Sequence, residues 1–199
     1  MTAATTSARY EQAVARIDEA NSADPNLLEV DGVAVPKELT HARLATEWVL
    51  HLDPDATELQ LLAARAHHLR RWSVPRSDYD EGRAGYLRWR ANLKKQHAAE
   101  VGEILRACGY DDGEIERVQQ LVRKEGLGRD PQVQTHEDAL CLVFLQTQLG
   151  PVADQLGDDR MVEVLRKSIG KMSPAGIEAA VGLPLGPREA ELLKAAAQG

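Results

Sequence analysis

The sequence is poor in the residues that build β-sheets and disulfide frameworks. Aromatic residues make up only 4% of its 199 residues, and Phe144 is the only phenylalanine. Aromatic and β-branched side chains favour strands, whereas the abundant alanine, leucine, glutamate, arginine and glutamine favour helices, so we predict an all-α protein with little or no strand. Two cysteines, Cys108 and Cys141, are too few for a disulfide framework, and we expect both to be buried thiols in a reducing compartment.

Long apolar runs are also absent. None approaches the roughly 20 residues that cross a bilayer, and the N-terminal MTAATTSARY lacks the basic-then-apolar order of a signal peptide. We therefore expect a cytoplasmic protein that makes no membrane contact. With 43% hydrophobic residues, the chain can bury one core. This favours a single helical domain over residues 1–199, with residues 1–6 flexible.

Charge is distributed unevenly along the chain. The formal net charge of −7 argues against general nucleic-acid binding. Between Arg65 and Lys95, however, nine basic residues outnumber three acidic ones, which gives this segment +6 and leaves −13 for the remainder. We expect an anionic ligand to bind at this segment.

Apolar periodicity and helix-breaking residues divide the chain into helices. The first is predicted from about Ser7 to Ala20, the second from Pro36 to the Asp53-Pro54 break, and the third from Asp55 or Thr57 to about Trp72. Turn composition predicts loops over 28–36 and 73–85. Later helices are predicted over 86–108, with Gly109 as the stop, over 112–126 and over 132–149, followed by two or three shorter helices after Asp158. Together they predict a helical bundle.

An adjacent pair of histidines, His67 and His68, lies at the end of the predicted third helix. Successive helical side chains point about 100° apart, so both rings can border one cleft. His41 lies on the preceding helix and the acidic pair Glu137-Asp138 on a later apolar one, so three helices could bring imidazoles and carboxylates together. Zinc, manganese and iron accept such ligands.

This order of residues resembles the HD-domain metal-dependent phosphohydrolases. Their pattern of a histidine, a His-Asp doublet and a distant aspartate would correspond to His41, His67-His68 and Asp138, although His68 stands where the doublet has aspartate. The resemblance implies an HD-like helical fold and a divalent ion that activates water. A second ligand set takes His68, His97 and Asp138, since His97 lies on a fourth helix. Asp138 otherwise needs a basic partner or a capping role, because an unpaired buried carboxylate is costly.

Arginines follow the histidine pair directly. Guanidinium groups bind phosphate or carboxylate oxygens in a two-pronged way, and aromatic residues interleave with the arginines as a stacking surface. The alternative is that the tryptophans are core anchors and the arginines pair with acidic residues elsewhere. The predicted substrate-binding residues are Arg70, Arg71, Arg76, Arg90, Lys124, Trp72, Tyr86 and Trp89.

Longer motifs resemble one family over nearly the whole chain. The runs LAARAHHLRRWSVPR, GYLRWR, KEGLGRDPQVQTHEDALCLVFL and KMSP are similar to an uncharacterised bacterial and fungal domain-of-unknown-function family, sometimes labelled glutamyl-tRNA-synthetase-like. KMSP lacks the remainder of a KMSKS motif and no HIGH motif is present, so we expect no synthetase activity. The family resemblance supports His68 rather than His67, and it also supports Arg71, Trp72, Pro75, Arg76, Tyr86, Trp89, Arg90, Lys124, Gln134, Glu137 and Asp138.

These observations predict a metal-dependent hydrolase of HD-like type that acts on a phosphorylated or otherwise anionic small molecule or nucleotide. His68 and Asp138, with His41 or His97, would bind zinc, manganese or iron, and Glu137 and His67 would be catalytic. One alternative is a non-haem iron oxygenase, since the same ligands serve oxygen chemistry. Another is a metal-free RNA- or nucleotide-binding module that uses the Arg/Trp surface. Nucleic acid is the less favoured partner because the chain is acidic overall.

Overall fold

The structure is a computed structural model that describes residues 7–30 and 32–198. The predicted flexibility of residues 1–6 lies outside these residues. The described residues form ten α-helices and one two-stranded sheet, which confirms the all-α prediction. No helix in this part of the chain is long and apolar enough to cross a membrane.

The chain divides into two compact units, one ending at Glu125 and the other beginning at Gly126. The single domain expected from the sequence stays a prediction. The first unit contains α1 (Ala8–Ser22), β1 (Leu27–Val30), β2 (Val33–Pro36), α2 (Lys37–Leu52), α3 (Glu58–Ala66), α4 (Gly82–Ala107) and α5 (Asp112–Arg123).

Helix α3 lies at the centre of the first unit, where it packs against α1, α2 and α5. A capping box between Thr57 and Gln60 starts the helix. Its remaining residues are mostly buried leucine and alanine, and the small alanine side chains allow close helix packing. Arg65 forms two hydrogen bonds of 2.6 Å to the Asp18 carboxylate and so ties α3 to α1.

The predicted loop over 28–36 is wrong, because this segment forms most of an antiparallel hairpin. Leu27 pairs with Pro36 and Val30 pairs with Val33. Valines favour strands, and the Asp31-Gly32 dipeptide in the sequence is a hairpin-turn signal. Gly32 adopts a φ of +78°, which suits such a turn.

The predicted extension of the third helix to Trp72 is also wrong, because α3 ends at Ala66. Residues 67–70 form turns, and Arg70 adopts the left-handed conformation with φ 51°. The Arg70 N–H donates to Asn21 Oδ1 at 3.1 Å, so a contact with α1 supports the turn. A short 3₁₀ helix, Arg71–Ser73, follows. His67 and His68 therefore lie in a turn after α3 and not on the helix.

Helix α4 begins at Gly82, four residues before its predicted start at Tyr86. It ends at Ala107, and Gly109 follows with φ +82°, as expected of the predicted stop. Cys108 is buried at this end of α4. Cys141 is half-buried in the second unit, and neither cysteine forms a disulfide.

The second unit contains five helices among the described residues. Helix α8 packs against α7 and α10, and α6 packs against α7 and α9. Leu142, Leu149, Met161 and Leu165 are fully buried in these helices. The elements are α6 (Pro131–Thr147), α7 (Leu149–Leu156), α8 (Asp158–Ile169), α9 (Pro174–Val181) and α10 (Pro187–Ala197).

Candidate metal centre

Three potential metal ligands converge in the first unit. Glu38 and His41 come from α2, and His68 comes from the turn after α3. One ligand atom from each lies within 4.8 Å of the others. Glu38 and His41 are buried, and His68 is partly exposed.

Glu38 lies in the first turn of α2, where the helix has no side-chain N-cap of its own. Asp24, itself buried, replaces the cap by accepting a hydrogen bond from the Glu38 N–H at 2.9 Å. His41 follows one turn later, and its Nδ1 lies 3.4 Å from Glu38 Oε2. Residues three apart on a helix face the same side, so α2 alone positions two of the three ligands.

The turn after α3 brings His68 to the same carboxylate. His68 Nδ1 lies 3.1 Å from Glu38 Oε2, and Arg71 Nη1 lies 3.3 Å from His68 Nε2. A guanidinium only donates and an ionised carboxylate only accepts, so the His68 proton is on Nδ1. His68 therefore donates to Glu38 and accepts from Arg71.

The electrostatics keep the carboxylate ionised and the imidazole neutral. Burial opposes ionisation of Glu38, but neighbouring His68 and the hydrogen bonds from His41 and His68 hold the pKa of the Glu38 carboxyl below its ordinary value. Burial lowers the pKa of His68 to about 4, although Glu38 acts in the opposite direction. Glu38 and His68 thus have the charge states that metal binding requires at neutral pH, and an ion bound at His68 Nδ1 would replace the proton that this nitrogen donates to Glu38.

Arg71 borders the cluster on its exposed side. Its Nε lies 4.0 Å from Glu38 Oε1, and its guanidinium lies over the Trp89 ring at 4.7 Å. Trp89 is buried, and its Nε1–H donates to the Val74 carbonyl at 2.9 Å. Its burial and this hydrogen bond agree with the core-anchor interpretation of Trp89, and stacking of a bound base or ring on it stays a prediction.

A second arginine–aromatic contact lies next to the first on α4. Arg90 is placed over the Tyr86 ring at 5.8 Å, and the Tyr86 and Trp89 rings lie 5.9 Å apart. Burial lowers the pKa of Arg71, and the positive charge of Arg90 acts in the same direction despite Glu38. Arg71 and Arg90 are thus close enough to repel each other, and a bound anion would relieve that repulsion.

The remaining basic candidates have structural contacts. Arg76 donates to the carbonyls of Tyr79 and Asp80 and so holds the loop before α4. Arg70 is exposed, Trp72 is half-buried in the 3₁₀ helix, and Lys124 caps α5 with φ 59°. Substrate binding by these residues stays a prediction.

Two further histidines surround His68. The buried His67 ring lies 4.5 Å from the His68 ring, and the His97 ring lies 6.0 Å from it. His97 Nδ1 lies 2.8 Å from the Leu69 carbonyl, to which it donates. Burial lowers the pKa of His97 to about 3, so this ring is neutral. Neither His67 nor His97 belongs to the three-ligand group.

Glu137 and Asp138 lie on α6 in the second unit. Asp138 accepts hydrogen bonds from the Ser173 backbone N–H at 2.9 Å, from Ser173 Oγ at 2.5 Å and from Gln134 Nε2 at 3.0 Å. These bonds anchor the start of α9, as the capping alternative requires. Glu137 is buried with Lys171 Nζ 4.0 Å from its Oε1. Metal ligation by Asp138 and catalysis by Glu137 stay predictions.

Glu38 is the functional candidate that sequence reasoning missed. The signal is the Glu-x-x-His spacing of Glu38 and His41, the motif by which metal-binding helical bundles present a carboxylate and an imidazole on one face. An acidic residue in the first turn of a helix is also explained by the helix dipole, which makes the signal easy to overlook.

The donor set fits a divalent metal ion. One carboxylate and two imidazoles are the ligands that catalytic zinc sites and non-haem iron sites use, with a further coordination position for water or substrate. His97 Nε2, which is buried and has no hydrogen-bond partner, adds another nitrogen donor beside the group. These residues therefore suit zinc, manganese or iron.

Fold and site together define an all-helical protein with a buried His/carboxylate cluster bordered by an arginine. The chain matches the family described as Domain of unknown function (DUF4202) over residues 11–193, and it belongs to that family. No curated protein and no solved structure matches it. The comparisons give no support to the HD-domain resemblance or to the glutamyl-tRNA-synthetase label.

Proposed function

We propose that this protein is a metal-dependent hydrolase that acts on a phosphorylated or otherwise anionic small molecule or nucleotide. In this proposal Glu38, His41 and His68 hold the metal ion, so Glu38 takes the place that we predicted for Asp138. A divalent ion at this position would lower the pKa of a coordinated water and polarise the substrate.

One observation carries the proposal. The buried carboxylate of Glu38 and the imidazoles of His41 and His68 converge, and the guanidinium of Arg71 lies next to them. Structural zinc sites usually have four protein ligands, whereas catalytic sites have three and keep a position for water or substrate. The three-residue group and the partial exposure of His68 match the catalytic arrangement. The unpaired nitrogen of His97 lies beside it.

The anion would bind through Arg71. Its guanidinium lies over the Trp89 ring at 4.7 Å, and this contact would limit the conformational entropy that Arg71 loses when a phosphate or carboxylate binds. Arg90, on the same side of α4 as Tyr86, supplies a second positive charge near Arg71. In the transition state of ester hydrolysis, negative charge grows on the substrate oxygens, which Arg71 would stabilise.

The test is hydrolysis by protein loaded with zinc, manganese or anaerobic iron. Substrates are 4-nitrophenyl phosphate, bis(4-nitrophenyl) phosphate and a set of nucleotides. We expect metal-dependent turnover, and we expect Arg71→Lys to raise KM by at least about tenfold while metal stays bound, since lysine lacks the planar two-pronged donor. Arg106→Lys, on an exposed part of α4, is the matched control.

A metal-loaded protein that turns over none of these esters would contradict the proposal. So would an Arg71→Lys variant with the kinetics of Arg106→Lys.

The ligand set favours one second candidate, a non-haem iron oxygenase. Two histidines and one carboxylate are the triad that holds iron(II) in these enzymes. Oxygen uptake by the iron-loaded protein separates the two candidates, because hydrolysis consumes none. A protein that binds no metal but binds nucleotides or RNA through Arg71 and Arg90 would instead match the binding-module alternative.

A further inference from the structure

His97 has one satisfied and one unsatisfied ring nitrogen. Its ring is 3% exposed, its Nδ1–H donates to the Leu69 carbonyl, and Nε2 has no hydrogen-bond partner. Because Nδ1 carries the ring proton, Nε2 of the neutral ring presents a lone pair. Buried polar atoms without a partner are uncommon in folded proteins and call for a specific explanation.

His97 lies close to the candidate metal centre. His97 lies on the buried stripe of α4 that also contains Gly85, Trp89 and Leu93, and its ring centre is 6.0 Å from that of His68. Arg71 lies over Trp89 on this stripe. One face of α4 therefore supplies both the platform for Arg71 and the unpaired nitrogen.

His97 is near the metal ligands without being one of them. Glu38, His41 and His68 place their ligand atoms within 4.8 Å of one another, and His97 is outside this group. Ligands of one zinc ion lie about 2.0–2.3 Å from the ion, so their donor atoms are within about 4.6 Å of each other. His97 is thus outside the ligand group, while its ring centre is only 6.0 Å from that of the ligand His68.

We infer that His97 Nε2 accepts a hydrogen bond from the water or substrate hydroxyl that reacts at the metal centre. This would make His97 a catalytic residue that orients the reacting oxygen at the metal centre. The inference rests on the proposed function, because the reacting group must be held by Glu38, His41 and His68.

Two substitutions of His97 test the roles of its two ring nitrogens separately. An asparagine amide reaches the place of Nδ1 and can still donate to Leu69, whereas a glutamine amide reaches the place of Nε2 and can accept there. We expect His97→Asn to bind cobalt(II) with a Kd within about threefold of that of wild type, since His97 is outside the ligand group and its hydrogen bond goes to the Leu69 carbonyl, whereas loss of a true ligand would raise Kd more than about 100-fold. His51→Asn, on an exposed part of α2, is the matched control.

Turnover and structure complete the test. We expect kcat for the best ester substrate to fall about 100-fold in His97→Asn and less in His97→Gln. A crystal structure of the zinc-loaded wild type should show a solvent oxygen on the zinc ion within about 3.2 Å of His97 Nε2. This structure also decides the question if either variant fails to fold.

The outcomes distinguish this inference from the proposed function. If wild type binds no metal, both are wrong. If wild type binds metal but the zinc-loaded crystal shows Nε2 on the ion itself or without a solvent partner, only the role of His97 is wrong. An unchanged kcat in His97→Asn would also show that only the role of His97 is wrong.

Discussion

His68 Nδ1 lies 3.1 Å from Glu38 Oε2, although the two residues are 30 positions apart in the chain. Glu38 starts α2 and His68 follows the end of α3, and these two helices pack against each other. The buried carboxylate orients the ring of His68 through this hydrogen bond, and the proposed metal ion would take the place of the proton shared between Nδ1 and Oε2. The proposed metal site depends on this pair of residues.

Neutralising the carboxylate should remove metal binding without unfolding the protein. Glutamine in place of Glu38 retains an oxygen that can accept from His41 and His68, but it lacks the negative charge that holds a cation. We expect Glu38→Gln to raise the Kd for cobalt(II) more than about 100-fold, measured by spectrophotometric titration. Glu47→Gln makes the same change at an exposed position of α2 and should match wild type. Equal affinities in the two variants would exclude Glu38 as a ligand.

The free energy of unfolding of the metal-free protein should fall as pH decreases from about 6.5 to 4. Burial holds the pKa of His68 at about 4 and that of His97 at about 3, below the 6.5 of the unfolded chain. In this window the unfolded chain binds more protons, so acid favours unfolding by up to about 1.4 kcal/mol per pH unit for each histidine.

Urea denaturation at several pH values, with EDTA present, checks this pH dependence. His97→Gln removes one of the two contributions, so the difference in stability between wild type and this variant should shrink as pH falls. A difference that is constant from pH 7 to pH 4 would show that His97 titrates normally in the folded protein.

Asp138 should prove important for stability and not for metal binding. Asp138→Ala leaves the Ser173 N–H and hydroxyl without their acceptor, which costs about 1–3 kcal/mol of the free energy of unfolding. Metal stoichiometry should be unchanged. Asp159→Ala, an exposed change in α8, is the control and should leave stability near wild type. Loss of metal from Asp138→Ala would restore Asp138 to the ligand set.

The left-handed turn at Arg70 predicts an unusual order of stabilities. A residue with a Cβ pays about 1–2 kcal/mol for this conformation, and glycine does not. Arg70→Gly should therefore be more stable than Arg70→Ala by about 1 kcal/mol in thermal or urea unfolding. At Arg106, in the last turn of α4, the order should reverse, because alanine has a higher helix propensity than glycine. The same order at both positions would contradict the turn.

The sequence was sufficient to predict which residue types meet, but not how the chain brings them together. The sequence predicted His41 and His68 as metal ligands, and the structure places both beside Glu38. The sequence also predicted Arg71 and Trp89 as parts of one substrate-binding surface, and the structure places the Arg71 guanidinium over the Trp89 ring. The helical extension past Ala66 was wrong because the turn at 67–70 depends on Asn21 of α1, a partner that local periodicity does not reveal.

Long-range partners also explain why the sequence pointed to the carboxylate of Asp138 and not to that of Glu38. Asp138 was chosen because a carboxylate in an apolar helix is costly, yet Ser173 and Gln134 satisfy it. Glu38 was missed because acidic residues in first helical turns are common, and only the fold shows that His68 reaches it. The hairpin at 27–36, in contrast, had a local signal in Asp31-Gly32.

Metal content is the most direct test of the central claim. The purified protein, reconstituted with zinc, manganese or anaerobic iron and dialysed, is measured by elemental analysis together with His41→Ala, His68→Ala and the exposed control His51→Ala. The account predicts one ion per chain in wild type and His51→Ala, and loss of that ion in the other two variants. Wild type without metal after every reconstitution, or His68→Ala that retains it, would contradict the account.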